Sequence, residues 1–80
     1  MNPRPTRVVP QNDFTLKILF SNGELRTYDM KPHLNFGIFK ELAEIDYFKQ
    51  AKINNGTVAW PHEQDICPDT LYEDGTPIPA

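Results

Sequence analysis

The chain has 80 residues, including nine aromatic residues and a single cysteine. This length allows one domain with a small core, and the composition excludes a disordered chain. The lone cysteine excludes an internal disulfide, and no apolar run approaches the roughly 20 residues of a transmembrane helix, so we expect a cytoplasmic protein and no membrane partner. Residues 1–52 carry 8 basic and 6 acidic groups, whereas residues 53–80 carry 5 acidic groups and no Lys or Arg. That asymmetry argues against direct nucleic-acid binding and favours a basic protein partner.

The first 29 residues predict a lead-in, an edge strand and a hairpin. Residues 1–6 contain two prolines and no periodicity, which is typical of a disordered lead-in. Residues 7–10 are expected to form a short edge strand, because they end at a proline that lacks a backbone donor. Apolar residues alternate through residues 14–20, the pattern of a half-buried strand. After a turn around Gly23, residues 24–29 return as its antiparallel partner.

Two registers of this hairpin are open. A two-residue type I′ turn pairs Phe20 with Leu25. A three-residue loop with Gly23 in the left-handed region pairs Leu16 with Tyr28. A slip of one residue moves every side chain of the second strand to the other face of the sheet. We favour the bulged, three-residue form, because it places the large Tyr28 side chain on the core face.

From Gly37 the pattern becomes helical. Apolar residues recur at steps of three and four, with charged residues between them, which predicts an amphipathic helical segment on the core face of the sheet. These apolar positions are Ile38, Phe39, Leu42, Ile45 and Phe48. One helix fits the pattern, and so do two with a break near Glu44 and Asp46 as the cap of the second. Phe36 is also expected to lie in the core.

The remaining residues predict a second hairpin, one helical turn and a tail. Residues 51–53 and 57–60 flank an Asn-Asn-Gly turn, and residues 69–73 form the helical turn. We therefore expect a single α+β domain over residues 7–74. It would contain a small antiparallel sheet of two hairpins plus the short edge strand, with one or two short helices packed on one face. Residues 75–80 are expected to be a flexible tail.

The sequence predicts no catalytic set, no cofactor and no metal site. His62, Asp65 and Cys67 are residue types that bind zinc, but a structural zinc site normally needs four ligands and the sequence offers no second cluster. Cys67 is instead expected to be a small buried residue. The C-terminal carboxylates favour a solvated face over acid–base chemistry, and no phosphate-binding glycine motif is present in the sequence. We expect the chain not to be an enzyme.

Six residues near the C-terminus are candidates for binding a partner. Exposed carboxylates there would steer a basic protein, mainly through the association rate. Trp60 is either a core anchor with a bonded indole N–H or a surface hot spot, and we favour the anchor because so small a domain needs its large side chains. The candidates are Trp60, His62, Asp65, Asp69, Tyr72 and Glu73.

Several segments together are similar to a known family. They are Phe14-x-Leu16-x-Ile18-x-Phe20, Phe39-x-x-Leu42, Gly56-Thr57-Val58-x-Trp60-Pro61 and Asp65-Ile66-x-Pro68-Asp69-x-Leu71-Tyr72. Over roughly residues 6–74 this pattern resembles the small bacterial proteins of domain-of-unknown-function family 2442. His62-Glu63-Gln64 departs from the Asn-Gly turn expected after Trp-Pro, so that turn is expected to be built differently.

The resemblance implies a compact α+β fold and no established catalytic residues. It also implies stand-alone small proteins, often encoded beside another small protein in toxin–antitoxin-like gene pairs, and related domains fused to a helix-turn-helix. Because this chain ends at Ala80 without such a domain, we expect no direct DNA binding. The first hypothesis is a non-catalytic protein-interaction module, antitoxin-like or accessory, that binds a basic protein encoded by an adjacent gene. The alternative is a small-ligand-binding or regulatory domain that partners a DNA-binding protein.

Overall fold

The computed structural model describes residues 2–78, so Met1 of the predicted lead-in and Pro79 and Ala80 of the predicted tail lie outside the described residues. Within these described residues, seven strands occur in chain order: β1 Pro5–Pro10, β2 Thr15–Phe20, β3 Leu25–Asp29, β4 Lys52–Asn54, β5 Thr57–Ala59, β6 Asp65–Ile66 and β7 Thr76–Pro77. The helical elements are 3₁₀ helices at Lys31–His33 and Gly37–Ala43, and the α-helices α1 Ile45–Phe48 and α2 Pro68–Glu73. The predicted α+β class is confirmed.

The strands form two antiparallel sheets. The first has the order β1-β2-β3-β7 and the second has the order β4-β5-β6. The prediction of one sheet holding both hairpins is therefore wrong. The second hairpin pairs instead with β6, where Val58 lies opposite Ile66. A strand of two residues carries no alternation of its own, so sequence periodicity could not reveal β6.

The register of the first hairpin follows the bulged form. Leu16 lies opposite Tyr28, as that form requires. Gly23 has a φ of 89°, in the left-handed region, and the Phe20 N–H donates to the Glu24 carbonyl at 2.8 Å. The predicted three-residue loop is confirmed. Its result is that Tyr28 is only 5% exposed and joins the core.

Both ends of the described chain contribute to the first sheet. Strand β1 begins at Pro5, two residues before the predicted edge strand. The Thr6 hydroxyl donates to the Leu19 carbonyl at 3.1 Å, which ties the start of β1 to β2. At the other end, Thr76–Pro77 pairs with β3 as the outermost strand. Parts of the predicted lead-in and of the predicted tail thus belong to the sheet.

The helical region contains the predicted break. Gly37–Ala43 is a 3₁₀ helix, and Glu44 then adopts extended backbone angles before α1 begins. Asp46 does not cap α1, because the cap position is Glu44 and no side chain makes a capping hydrogen bond there. Leu42 and Phe48 are fully buried, as predicted. The two short elements together form one layer against the core.

The core joins both sheets and the helices. Its buried members are Leu16, Ile18, Phe20, Tyr28, Met30, Leu42, Phe48, Val58, Trp60, Ile66 and Leu71. Trp60 is 2% exposed and its indole N–H donates to the Phe48 carbonyl at 2.9 Å, which confirms the core-anchor interpretation. Three predictions of burial are wrong. Phe36 and Ile38 are 68% and 65% exposed, and Cys67 is also exposed.

Candidate functional site

A buried glutamine joins the turn after Trp60 to the long 3₁₀ helix. Gln64 is 2% exposed. Its Nε2 donates to the Ile38 carbonyl at 3.1 Å and to Glu41 Oε1 at 2.9 Å. Its Oε1 accepts a hydrogen bond from the Tyr47 hydroxyl at 2.6 Å. Both polar atoms of this side chain are therefore used to fix the 3₁₀ helix and α1 against the turn, as is usual for a buried polar group.

His62 completes this arrangement from the surface. Its Nδ1 lies 2.7 Å from Glu41 Oε2, and its backbone N–H donates to the Tyr47 hydroxyl at 2.9 Å. The imidazole stacks on the Tyr47 ring, with centroids 5.1 Å apart and planes inclined by 27°. The side chain of His62 remains 64% exposed. These contacts hold an exposed ring in one orientation.

Two apolar side chains project into solvent beside this arrangement. Phe36 and Ile38 are 68% and 65% exposed, and they flank Gly37, whose φ of 50° lies in the left-handed region. Glycine adopts this conformation at little cost, so the backbone can turn here and direct both neighbours outward. Because Gln64 binds the Ile38 carbonyl, the segment is fixed as well as exposed. We call Phe36, Ile38, Glu41 and His62 the clamp surface.

The six candidates from the sequence do not form one site. The prediction that Trp60 contacts a partner is wrong, because its side chain is buried. His62 belongs to the clamp surface. Asp65 lies in β6 and lines a groove of about 300 Å³ together with Lys52 and Glu63, among others. The other three candidates lie on α2.

Helix α2 forms a separate acidic surface. Asp69 and Glu73 are both exposed. The Asn2 side-chain amide donates to Glu73 Oε2 at 2.9 Å and to Asp69 Oδ1 at 3.4 Å, so the start of the chain bridges the two carboxylates. Tyr72 is half-buried, with its ring edge-on to Phe20 at 5.1 Å between centroids. Tyr72 thus serves mainly to pack α2 onto the sheet.

Arg26 anchors α2, although no motif or periodicity in the sequence marks it. Its guanidinium carbon lies 3.9 Å from the Tyr72 ring centroid. Its Nη1 donates to the Tyr72 carbonyl at 2.8 Å and to the Gly75 carbonyl at 3.2 Å, at the C-terminal end of the helix. A cation there complements the helix dipole and satisfies carbonyls that have no partner within the helix. Its Nη2 also lies 3.2 Å from a carboxylate oxygen of Glu24.

Glu24 is held in its charged form by this neighbourhood. A hydrogen bond from the Tyr72 side chain lowers the pKa of Glu24 below its usual value, and Asn22 and Arg26 add to that effect. Donors directed at a carboxylate favour its ionised state. The Glu24, Arg26 and Tyr72 side chains therefore form one polar cluster that joins the first hairpin to α2.

The clamp surface could be found in the sequence only in part. Phe36-Gly37-Ile38 places two apolar residues around a glycine at the start of a helical pattern. Periodicity alone assigned both of them to the core. The signal against burial is the glycine, since a positive φ turns the chain away from the regular helical face.

The residues from 2 to 78 contain no helix that is both long and apolar enough to cross a membrane. In the same range, no three His, Cys, Asp or Glu side chains come together as a metal-binding group.

The fold and surface define a small α+β domain with two antiparallel sheets and an exposed, rigidly held apolar pair. The family model described as "Protein of unknown function (DUF2442)" matches residues 5–77, and the chain belongs to this family. Neither the curated proteins nor the solved structures contain a match to the chain.

Proposed function

We propose that the chain is a non-catalytic protein-interaction module that binds its partner through the clamp surface. The observation that carries this proposal is the exposure of Phe36 and Ile38, at 68% and 65%, on a backbone held by the buried Gln64. Burial of a Phe or Ile side chain is worth about 1.5–3 kcal/mol, a gain that these two positions forgo in the isolated chain. A partner with an apolar socket would recover it.

The charge around the clamp surface supports a basic partner. Glu41 belongs to that surface, and the adjacent turn carries Glu63 and Asp65, which are exposed. The other acidic groups of the last third, Asp69, Glu73 and Asp74, are exposed as well. Such a field raises the association rate of a cationic protein and discriminates against anionic ones. The partner that fits this chemistry has an apolar socket with Lys or Arg residues at its rim.

The biological setting that we propose is a two-protein module. In it, the chain is the antitoxin-like or accessory member, and the partner is a basic protein encoded beside it. Enzymatic activity has no part in this proposal, since binding alone accounts for a fixed apolar pair and an acidic surround.

A second candidate function, small-ligand binding, is supported by the groove of about 300 Å³ beside the second sheet. Lys52 and Asp65 place opposite charges along it, next to Trp60 and Pro61. A zwitterionic or amine ligand suits such a lining. Ligand-dependent NMR shifts confined to these residues, without binding of a protein partner, would favour this alternative.

The direct test is co-expression with the product of the adjacent reading frame, followed by co-purification and calorimetry. We expect a stable complex that weakens by at least about tenfold when Glu63 and Asp65, the exposed carboxylates of the turn beside the clamp surface, are replaced by Lys. Glu44→Lys/Asp46→Lys is the control, because it changes net charge by the same amount at exposed positions outside the last third and should bind nearly as the unaltered chain does. Absence of a complex at micromolar concentrations, or equal losses in both variants, would contradict the proposal.

A further inference from the structure

The face of the first sheet that points away from the core carries two cross-strand rows of side chains. In one row Arg7 lies opposite Leu19, which lies opposite Leu25. In the other row Val9 lies opposite Lys17. All five residues line one shallow groove of about 290 Å³. We call these five residues the outer face.

Within residues 2–78, no layer covers the aliphatic side chains of the outer face. Val9 is 55% exposed, and Leu19 and Leu25 are half-buried. Among the described residues, none of these three belongs to the core cluster or packs against it. Sheets that carry apolar side chains on a face are ordinarily covered there by a helix or by another sheet. The outer face is thus an apolar sheet surface that lacks its second layer.

The charge of the outer face is opposite to that of the whole chain. Neither Arg7 nor Lys17 forms an ion pair with any residue between 2 and 78. Asp29 extends from the same face, but its Oδ1 forms an ion pair with Lys31 Nζ at 3.1 Å. Two unpaired cations therefore frame the aliphatic rows, although the chain has a net charge of −3.

We propose that the outer face docks an acidic amphipathic helix of a second protein partner. Carboxylates on the helix would pair with Arg7 and Lys17, while its apolar stripe would cover Leu19 and Leu25 and supply the missing layer. A strand of six residues is about 20 Å long, which matches a helix of about 13 residues. This partner is distinct from the basic partner of the clamp surface, so the chain would join two proteins of opposite charge.

Two other occupants fit the outer face less well. A second copy packed face to face by a two-fold axis would place four cations, Arg7 and Lys17 of each copy, in one interface, and like charges repel. A nucleic acid or an anionic membrane would gain only two cationic contacts on a chain with a net negative charge. The aliphatic rows would also find no apolar complement on a phosphate backbone.

The test uses a designed peptide of about 14 residues with Leu at i, i+3, i+4 and i+7 and Glu at the remaining exposed helix positions. Titrated into the ¹⁵N-labelled chain, it should produce saturable shifts in the amides of Leu19 and Leu25 with a Kd below about 1 mM. Arg7→Glu/Lys17→Glu should weaken binding by at least about tenfold. Lys40→Glu/Lys49→Glu, which changes net charge equally on exposed residues elsewhere, should bind as the unaltered chain does.

Four outcomes would overturn the inference. They are an absence of saturable shifts, shifts outside the outer face, equal effects of the two charge-reversed variants, and binding to phosphatidylserine vesicles without binding to the peptide. A version of the peptide with every Glu replaced by Lys should not bind. Phe36→Ser/Ile38→Ser alters only the clamp surface and should leave peptide binding unchanged. Failure of this inference can therefore be distinguished from failure of the proposed function.

Discussion

Gln64 shows how a single buried amide can hold an exposed surface in place. Its side chain links a 3₁₀ helix to a turn and contacts Ile38, Glu41 and Tyr47. Hydrogen bonds made by a buried amide are individually worth about 1 kcal/mol, but a group left without its partner is more costly. The position of Phe36 and Ile38 therefore depends on a residue that lies beneath them.

Removal of this side chain should destabilise the protein and loosen the clamp surface. We expect Gln64→Ala to lower the free energy of unfolding by about 2 kcal/mol, because three hydrogen bonds and buried volume are lost together. Urea denaturation measures the change. Gln50→Ala, at an exposed position, should change it by less than about 0.5 kcal/mol. Equal effects of the two substitutions would show that the hydrogen bonds of Gln64 contribute no measurable stability.

Tyr28 makes the free energy of unfolding depend on pH in the alkaline range. Burial raises the pKa of the Tyr28 hydroxyl, and the negative charges of Asp74 and Asp29 raise it further. The unfolded chain therefore loses this proton at a lower pH than the folded chain does. The stability from this difference is fully present below about pH 10, and it is lost as pH rises through the folded-state pKa.

The corresponding measurement is the free energy of unfolding between pH 8 and pH 11, with Tyr28→Phe as the comparison. We expect the unaltered chain to lose stability more steeply above about pH 10 than the variant, which has no hydroxyl to titrate. The variant should also be less stable at pH 8, because it lacks the 2.8 Å hydrogen bond to His33 Nε2. Parallel curves would contradict the role given to Tyr28.

At the scale of elements, α2 depends on its neighbours. A helix of six residues is far too short to be stable alone. Leu71 supplies a fully buried contact, and Arg26 binds the carbonyls of Tyr72 and Gly75 at the C-terminal end. The helix is thus fixed by the first hairpin, although it follows that hairpin by some forty residues in the chain.

Loss of Arg26 should therefore release α2. We expect Arg26→Ala to lower the free energy of unfolding by about 2–3 kcal/mol, and Arg26→Lys to recover less than half, because an ammonium cannot reproduce the planar fork of the guanidinium. Amide exchange in α2 should accelerate more than exchange in β2. Arg7→Ala is the matched control, since this exposed arginine makes no ion pair within residues 2–78. A loss of similar size in the control would contradict the anchoring role.

The elements also show what a sequence can and cannot predict. Alternation and the Asn-Gly turn predicted β2 and β3 but left two registers open, and the size of Tyr28 favoured the bulged register that the structure has. Strands β6 and β7 have two residues each, so they are defined by their partners and carry no pattern of their own. Arg26 lies on the core face with Ile18 opposite, where the pattern favours an apolar residue. Its role in anchoring α2 depends on contacts with Tyr72 and Gly75, which are distant from Arg26 in sequence.

The charge of the candidate site could be predicted from the sequence, but its shape could not. The acidic last third is evident in the sequence, and its carboxylates are exposed in the structure. Phe36 and Ile38 were assigned to the core, because a helical period treats every apolar position alike. Their exposure depends on the conformation of Gly37 and on a hydrogen bond from Gln64, a residue distant in sequence.

For the molecule as a whole, exposed apolar side chains lie on two surfaces whose charges have opposite signs. The core is built from a small set of buried residues, and within residues 2–78 the exposed large apolar side chains are Val9, Phe36 and Ile38. Val9 belongs to the cationic outer face, whereas Phe36 and Ile38 belong to the clamp surface, where the Gln64 amide donates to both the Ile38 carbonyl and the Glu41 carboxylate. Apolar residues surrounded by charge are typical of surfaces that bind proteins.

The exposure of Phe36 and Ile38 predicts that this apolar pair contributes little to folding. We expect Phe36→Ser/Ile38→Ser to change the free energy of unfolding by less than about 1 kcal/mol, whereas Phe48→Ala should cost about 3–5 kcal/mol because that ring is fully buried. Thermal and urea unfolding provide both values. If Phe36→Ser/Ile38→Ser destabilised the protein strongly, Phe36 and Ile38 would contribute to folding, which would contradict this prediction.

The most direct test of the central claim is amide exchange of the chain alone and in complex with the product of the adjacent reading frame. We predict that slowed exchange on binding is concentrated in residues 36–41 and 61–65, with β2 and the outer face unchanged. Phe36→Ser/Ile38→Ser should abolish that protection while leaving the fold intact. Protection confined to other residues, or no complex with that product, would contradict the claim that the clamp surface is the binding site.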